Sequence, residues 1–142
     1  MQGGPGYPEG LNHGWFVRPT VFSGVDPSAT IAQEEIFGPV LSVITCETED
    51  EAITIANNSA YGLNGSIFAA DVSRALSLAR RIKTGVVEIN GCGVGFHSPI
   101  GGVKHSGIGR EAGFEGFDPF VELKAVGVPK AYADVLASSE AR

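Results

Sequence analysis

Short apolar runs alternate with helix-like patterns through the middle of the chain. Three of these runs are short enough to be strands, and apolar residues recur between them at helical spacing. The predicted strands are Val40 to Cys46, Asn64 to Ala70 and Val86 to Asn90. The first is apolar almost throughout, which is typical of a strand buried on both faces. The alternation of strand and helix with short connections predicts right-handed crossovers and a parallel sheet.

The two helices between these strands carry recognisable end signals. Thr48 and Glu51 have the spacing of a capping box at the start of the first helix. Either Asp71 or Ser73 caps the second helix, because both precede an apolar stripe and both can accept a backbone hydrogen bond. Gly85 is the predicted end of that helix.

The flanking segments give weaker patterns. Residues 1–13 form a loop by composition. Trp15 to Val21 predicts a strand at a sheet edge or in an extended connection, because Pro19 interrupts it. The other expected elements are a turn at Asp26 to Ser28, a helical turn at Ala29 to Gln33, a short helix at Arg110 to Phe117, a last strand at Phe120 to Val128 and a polar tail over residues 129–142.

Composition restricts the class of protein. The chain has 142 residues, 43% of them hydrophobic and 18% charged, so it is expected to be a globular protein of one domain. A net charge of −6 argues against nucleic acid as a partner. No apolar run approaches the roughly 20 residues that span a bilayer. We interpret Cys46 and Cys92 as reduced thiols of a cytoplasmic protein, and the three scattered histidines give no metal-ligand spacing.

Two adjacent acids, Glu34 and Glu35, precede Ile36, Phe37 and Gly38-Pro39. Such a pair is often just two solvated acids before a turn, because most charged residues lie on the surface. The alternative is a binding site, since one carboxylate can accept hydrogen bonds from two vicinal hydroxyls, such as those of a ribose. Phe37 is then placed to pack on the sugar.

A glycine-rich segment, Gly91 to Gly109, follows the third strand. It lacks the glycine spacing and the following helix of a dinucleotide fingerprint, so a loop that lines a pocket is the better interpretation. Gly107 to Glu111 could open a helix and bind an anion at its N-terminus, but we favour a turn fixed by glycine, in which Arg110 clasps the backbone or a carboxylate. Cys92 is disfavoured as a nucleophile, because no base or orienting group can be assigned to it.

Taken together, these segments resemble the C-terminal part of the aldehyde dehydrogenase superfamily. The matching stretches occur in the family's order over nearly all of residues 3–128. They are Gly14 to Phe22, Glu34 to Pro39, Ala56-Asn57-Asn58 with Tyr61-Gly62-Leu63, Gly85 to Asn90, Pro99 to Lys104 and Ser106 to Glu111.

The resemblance implies a fold and a reaction. The fold is α/β, with residues 14–119 forming the C-terminal portion of a doubly wound, mainly parallel catalytic domain. Residues 120–128 resemble the strand that joins a partner subunit's sheet. In the family, a cysteine thiolate attacks the aldehyde, hydride passes to NAD or NADP, and a glutamate activates the water that releases the carboxylic acid.

The resemblance also implies the site residues. Glu35 would bind the hydroxyls of the nicotinamide ribose, and Phe37 would pack beside that ribose. The loop from Gly91 to Ile100 would form part of the aldehyde tunnel. Its expected substrate-contacting residues are Cys92, Val94, Phe96 and Ile100.

The departures from the family pattern decide what the chain can do alone. Neither Cys46 nor Cys92 lies in the family's Gly-Gln-x-Cys context, and the Glu-Leu-Gly-Gly context of the general base is absent. The upstream nucleotide-binding domain is absent too. We therefore expect no catalytic residue in this chain, and weak or absent NAD(P) binding by it alone.

The sequence leaves three functions open. The chain is an inactive dehydrogenase fragment, one half of a split dehydrogenase, or a non-enzymatic module that uses its last strand to join dehydrogenase subunits. Its parallel sheet would end in an open edge, and unpaired edges invite association. We therefore expect a homo-oligomer, strand exchange with dehydrogenase subunits, or marginal stability.

Overall fold

Two pairs of parallel strands form the frame of the chain, whose computed structural model describes residues 1–130, 132, 133 and 135. Strand β1 (Thr20–Ser23) pairs with β2 (Val40–Val43), and β3 (Asn64–Ile67) pairs with β4 (Val86–Ile89). The connections are helices α1 (Thr30–Gln33), α2 (Glu49–Asn57) and α3 (Val72–Ala79). Two 3₁₀ helices, Lys104–Ser106 and Glu115–Phe120, follow. The predicted α/β architecture with parallel strands is confirmed.

The strands form two separate sheets rather than the single predicted one. The strand expected at Trp15 to Val21 begins only at Thr20, after Pro19, whose ring leaves no N–H to donate. The Thr20 N–H instead bonds the carbonyl of Pro39, 2.9 Å away, which starts the β1–β2 ladder. Within the described residues, β2 does not pair with β3, so each two-stranded sheet keeps open edges.

The helix caps agree closely with the sequence. Thr48 Oγ1 accepts a hydrogen bond from the Glu51 N–H at 3.1 Å. The Glu51 carboxylate accepts from the Glu47 N–H, one residue earlier than an ideal capping box requires. Asp71, rather than Ser73, caps α3 by accepting from the Arg74 N–H at 3.0 Å. Helix α3 ends at Ala79, well before the predicted stop at Gly85.

Two ion pairs join α2 to α3. Arg74 Nε donates to Glu49 Oε2 at 3.0 Å, and Arg81 bonds Asp50 Oδ1 at 2.6 Å. The hydrogen bond from Arg74 holds the pKa of Glu49 below its ordinary value. All four side chains are largely exposed, so these pairs orient the helices more than they stabilise the chain.

Backbone segments lie unusually close together where the glycine-rich segment passes the start of β4. A Cβ atom on Gly85 would lie 1.6 Å from the carbonyl oxygen of Gly101. A Cβ on Gly62 would lie 2.7 Å from the carbonyl oxygen of Lys83, and one on Gly102 would lie 2.5 Å from that of Ser106. Only glycine fits at these three positions, because a side chain would overlap backbone that cannot rotate away.

Most of the apolar surface is uncovered. Ala75 and Val86 are the buried apolar residues of the described part. The accessible surface is 11278 Å², against about 7,000 Å² for a typical monomer of this mass. The expectation that Val40 to Cys46 is buried on both faces is wrong for this chain, since Leu41 is 58% exposed and nothing described covers that face.

The C-terminal region departs most from the sequence patterns. The helix expected at Arg110 to Phe117 forms only as the 3₁₀ turn at Glu115–Phe120, because Ala112 and Gly113 adopt left-handed backbone with φ of 58° and 61°. Phe120 to Val128 forms no strand in the described chain, since no described segment lies beside it to accept its hydrogen bonds. Its role as an oligomerisation strand stays a prediction, and the tail lies largely outside the described residues.

Candidate functional site

An open depression of about 540 Å³ lies beside Glu35. Its polar lining consists of one carboxylate, one imidazole and several hydroxyl or amide groups, and residues such as Ala56 and Leu63 add an apolar lining of similar extent. The lining residues are Glu35, Ala56, Ser59, Tyr61, Gly62, Leu63, Asn64, Thr84, His105 and Ser106. Hydrogen-bonding groups on several sides of an open cavity suit a ligand that carries hydroxyl groups.

The end of α1 separates the roles of the two acids. Glu34 closes the helix by donating its N–H to the carbonyl of Thr30 at 2.9 Å, and its backbone is extended. Glu35 follows outside the helix and lines the depression, whereas Glu34 does not. Within the described part of the chain, the Glu35 carboxylate makes no hydrogen bond or ion pair, so its oxygens can accept from a ligand.

Gln33 fixes α1, and with it Glu35, against the end of α2. Its side-chain amide donates to the carbonyls of Pro27 and Asn58, at 2.6 and 2.8 Å. The second contact ties the residue two positions before Glu35 to the loop that supplies Ser59 and Tyr61. The backbone that leads to Glu35 is therefore anchored, and the Glu35 side chain lies at the lining of the depression.

Phe37 has an unusual backbone for a bulky residue. Its φ is 54°, in the left-handed region, and its side chain is 93% exposed. A non-glycine residue in this region costs about 1–2 kcal/mol. Strain of this kind is found at sites that present a side chain to a ligand. In the described chain, the ring is presented to solvent rather than packed.

One wall of the depression is built from two loops joined by backbone hydrogen bonds. The Val103 N–H donates to the carbonyl of Gly62, and the His105 N–H donates to that of Ala60, both at 2.9 Å. The Gly62 N–H donates in turn to Ser106 Oγ at 2.9 Å. The rings of Tyr61 and His105 meet edge to face, with centroids 6.3 Å apart. These contacts hold an imidazole and a phenol together on one side of the cavity.

The four predicted substrate residues lie elsewhere. Cys92 is exposed and donates its N–H to the carbonyl of Ile89 at 3.0 Å, which makes a tight turn after β4. Val94 is 41% and Phe96 90% exposed, and neither lines the depression at Glu35. Ile100 lines a second cavity of about 660 Å³. The structure of this chain does not bring these residues into one cavity with Glu35.

The glycine-rich turn near Arg110 is a clasp. Arg110 donates through one terminal nitrogen to the carbonyls of Gly102 and Gly109, at 3.0 and 2.6 Å. Ile100 and Glu111 exchange two backbone hydrogen bonds of 2.7 Å across the same loop. The sequence interpretation of an arginine clasp is thereby confirmed. In the described chain, no helix begins at Gly107 to Glu111, so this turn has no helix N-terminus that could hold an anion.

Several residues at or near the depression were given no role of their own from the sequence. Asn57 accepts from the Lys83 N–H at 2.7 Å and donates to the carbonyl of Arg81 at 2.9 Å, which joins α2 to the approach of β4. Tyr61 and His105 reach the depression only because the two loops meet in space. An asparagine at a predicted helix end is a hint of such a role, but no local pattern indicates that residues 44 or more positions apart meet.

The described residues show neither a metal-binding group nor a membrane span. No cluster of three or more His, Cys, Asp or Glu side chains able to hold a metal ion occurs among them. None of the helices in this part of the chain is long and apolar enough to cross a membrane. The site therefore offers hydrogen bonds and one carboxylate charge.

Comparison with known proteins gives a consistent result. The model of the aldehyde dehydrogenase family matches residues 1–126. A curated relative from Staphylococcus saprophyticus, named as an aldehyde dehydrogenase, is 53% identical over 126 residues, which are 89% of this chain and 26% of the relative. The chain thus spans about a quarter of the length of the curated relatives that it matches.

Solved structures show the same similarity in three dimensions. An aldehyde dehydrogenase of Mycobacterium tuberculosis, crystallised with NAD⁺, is 51% identical with a TM-score of 0.83, over 89% of this chain and 26% of that one. A mutant of aldehyde dehydrogenase C from Pseudomonas syringae, crystallised with NAD⁺ and octanal, is 48% identical with a TM-score of 0.83, over 87% and 26%.

Proposed function

Because the chain belongs to the aldehyde dehydrogenase family, we propose that its residues serve the NAD(P)-dependent oxidation of an aldehyde to a carboxylic acid, as one part of a larger catalytic unit. The chain alone is inactive in this proposal. It has no cysteine in a Gly-Gln-x-Cys context and no Glu-Leu-Gly-Gly segment. The coverage of 26% of the relatives supports a division of labour with residues outside this chain.

The observation that carries the proposal is the free carboxylate of Glu35 on a polar depression. A carboxylate can accept hydrogen bonds from both hydroxyls of a ribose at once, and each bond is strengthened by its charge. The residues present therefore fit the nicotinamide ribose of NAD(P). The bound cofactor would supply the hydride acceptor, while this chain binds and orients its sugar.

Phe37 fits the same role. Phe37 follows Glu35 by two positions and does not line the depression, but its left-handed backbone and exposed ring leave an aromatic face free. An aromatic face covers the apolar side of a sugar ring and excludes water from it. The cost of the left-handed backbone is then offset in the complete enzyme, where the ring gains a packing partner.

The remaining proposals concern the substrate and the assembly. The exposed residues Cys92, Val94 and Phe96, with Ile100, would line part of an aldehyde tunnel once other segments cover the loop. The exposed stretch from Phe120 to Val128 would join the sheet of another subunit, which would bury side chains such as Leu123, now 100% exposed. The reduced thiols support a cytoplasmic location.

The test of Glu35 uses a fusion enzyme. In it, the matched segment of the Staphylococcus saprophyticus relative is replaced by the whole 142-residue chain. We expect Glu35→Gln to raise the KM for NAD⁺ about tenfold or more, because a neutral amide forms weaker bonds to the two hydroxyls. Glu34→Gln is the matched control, since Glu34 does not line the depression.

The outcomes separate the candidate functions. Equal KM values for Glu35→Gln and Glu34→Gln would contradict the ribose contact. A folded fusion that assembles with dehydrogenase subunits but oxidises no aldehyde would favour a non-enzymatic oligomerisation module. Activity on mixing the separate chain with the rest of the relative would favour one half of a split dehydrogenase.

A further inference from the structure

Lys104 joins the two loops that form one wall of the Glu35 depression. Its ammonium donates to the carbonyls of Asn57 and Ser59, at 3.1 and 3.0 Å. These carbonyls lie 47 and 45 residues earlier in the chain. Because the donor is charged, each bond is stronger than a neutral one.

The Asn57 carbonyl is one that needs a donor from outside its helix. Asn57 is the last residue of α2, and carbonyls at the end of a helix have no partner within it. A cation is favoured at this end of the helix dipole, yet the last turn of α2 contains no basic residue. Lys104 supplies that cation from a distant loop.

The backbone at Lys104 indicates that the side chain is held there by its contacts. Its φ is 56°, in the region that glycine adopts most readily. A residue with a long side chain is costly at such a position, and strained residues persist where the surroundings over-determine them. The two hydrogen bonds to α2 and its following loop are the contacts that do so.

The consequence falls on the neighbours of Lys104 rather than on Lys104 itself. Lys104 does not line the depression, but His105 and Ser106 on one loop do, as do Ser59 and Tyr61 on the other. The placement of these two loops relative to each other therefore shapes the depression that Glu35 also lines.

We propose that Lys104 is a positioning residue for the ribose site: it fixes the wall that these two loops form and so sets the affinity for the cofactor sugar without touching it. This inference rests on the proposed function for its ligand. The placement of the wall is a property of this chain alone and can be measured without any cofactor.

The first test is amide hydrogen exchange in the 142-residue chain. Lys104→Met should lower the protection of the Gly62, Val103 and His105 amides about tenfold, because all three bond across the two loops. Lys104→Arg keeps the charge and should retain most of the protection. Lys83→Met removes an exposed lysine close to the same loops, with no side-chain bond in the described part, and should change nothing.

An internal reference keeps this test decisive. The Asn90 amide, which donates to the carbonyl of Ile67 at 2.8 Å in the β3–β4 pair, should keep its protection in Lys104→Met. Unchanged protection at Gly62, Val103 and His105 would overturn the proposal. Loss of protection at Asn90 as well would also overturn it, because Lys104 would then support the whole fold rather than the wall.

The second test measures the effect on the cofactor in the fusion enzyme. Lys104→Met should raise the KM for NAD⁺ about tenfold while kcat stays within about twofold, and Lys104→Arg should restore most of the affinity. A fall in kcat with unchanged KM would overturn the inference. If Glu35→Gln raises KM and Lys104→Met does not, only this inference fails. If Glu35→Gln has no effect, the proposed function itself fails.

Discussion

Replacing Gly85 by alanine tests the close backbone crossing between the start of β4 and the glycine-rich segment. The added Cβ would lie 1.6 Å from the carbonyl oxygen of Gly101, and the atoms that it meets are backbone. To reach an ordinary contact, the two segments must separate by about 1.8 Å. The positive-φ glycines do not include Gly85, so the effect is one of space alone.

The expected cost follows from the contacts that this separation breaks. The Gly85 N–H donates to the carbonyl of Gly62 at 3.0 Å, and the Val103 N–H donates to the same oxygen at 2.9 Å. Each such bond contributes about 0.5–1.5 kcal/mol. Overpacking in a closely packed region adds about 1–3 kcal/mol. The two bonds and the overpacking together predict a loss of about 2–6 kcal/mol in the free energy of unfolding.

Urea unfolding, followed by circular dichroism, measures this loss. Gly95→Ala is the matched control, because a Cβ there meets nothing within 4 Å and its φ is not positive. We expect the control to be neutral or more stable by up to about 1 kcal/mol, since alanine restricts the unfolded chain. If Gly85→Ala unfolds at the same urea concentration as Gly95→Ala, the crossing is not as close as described.

Four further predictions address the caps, the charges, the strain and the exposed surface. Thr48→Ala should cost about 1 kcal/mol through loss of the α2 cap, whereas Thr54→Ala in the middle of that helix removes no cap, and urea midpoints compare the two. The hydrogen bond from Arg74 lowers the pKa of Glu49, so the small stabilisation by this pair is complete above the ordinary carboxyl pKa of about 4.3 and is lost as pH falls through the lower pKa of the folded chain. Arg74→Met should remove this contribution to the acid dependence of the urea midpoint, and an unchanged profile of midpoint against pH would contradict the prediction. Phe37→Gly should leave stability unchanged or raise it by up to about 1 kcal/mol, because it relieves a left-handed backbone and the ring packs on nothing, while it raises the KM for NAD⁺ in the fusion enzyme. Light scattering of the 142-residue chain should show oligomers or a marginally stable species, because most of its large apolar side chains are exposed. A monodisperse, stable monomer would contradict this expectation.

Local features were the part of the fold that the sequence predicted best. The Thr48 cap, the Asp71 cap and the short helix α1 depend on residues within a few positions of each other, and all three are present. The three central strands were placed correctly but predicted too long, since β2, for example, ends at Val43 rather than at Cys46. The length of a strand depends on how many residues of the neighbouring strand pair with it, and a local sequence pattern does not indicate that number.

Features that depend on distant segments were not predictable in the same way. The burial expected for Val40 to Cys46 and the strand expected at Phe120 to Val128 both require neighbours that the described chain does not supply. Lys104 illustrates the converse case, because its partners Asn57 and Ser59 come from another loop and no spacing connects them. For Glu35, the sequence indicated the residue, and the structure added the depression that distinguishes it from Glu34.

The central claim is that this chain supplies the ribose contact of an aldehyde dehydrogenase but oxidises aldehydes only as part of a larger unit. The most direct measurement follows the absorbance of NADH after an aldehyde such as octanal and NAD⁺ are added to the 142-residue chain and, separately, to the fusion enzyme. We predict no NADH from the chain alone and aldehyde-dependent NADH from the fusion. Turnover by the chain alone, or a correctly folded fusion without turnover, would contradict the account.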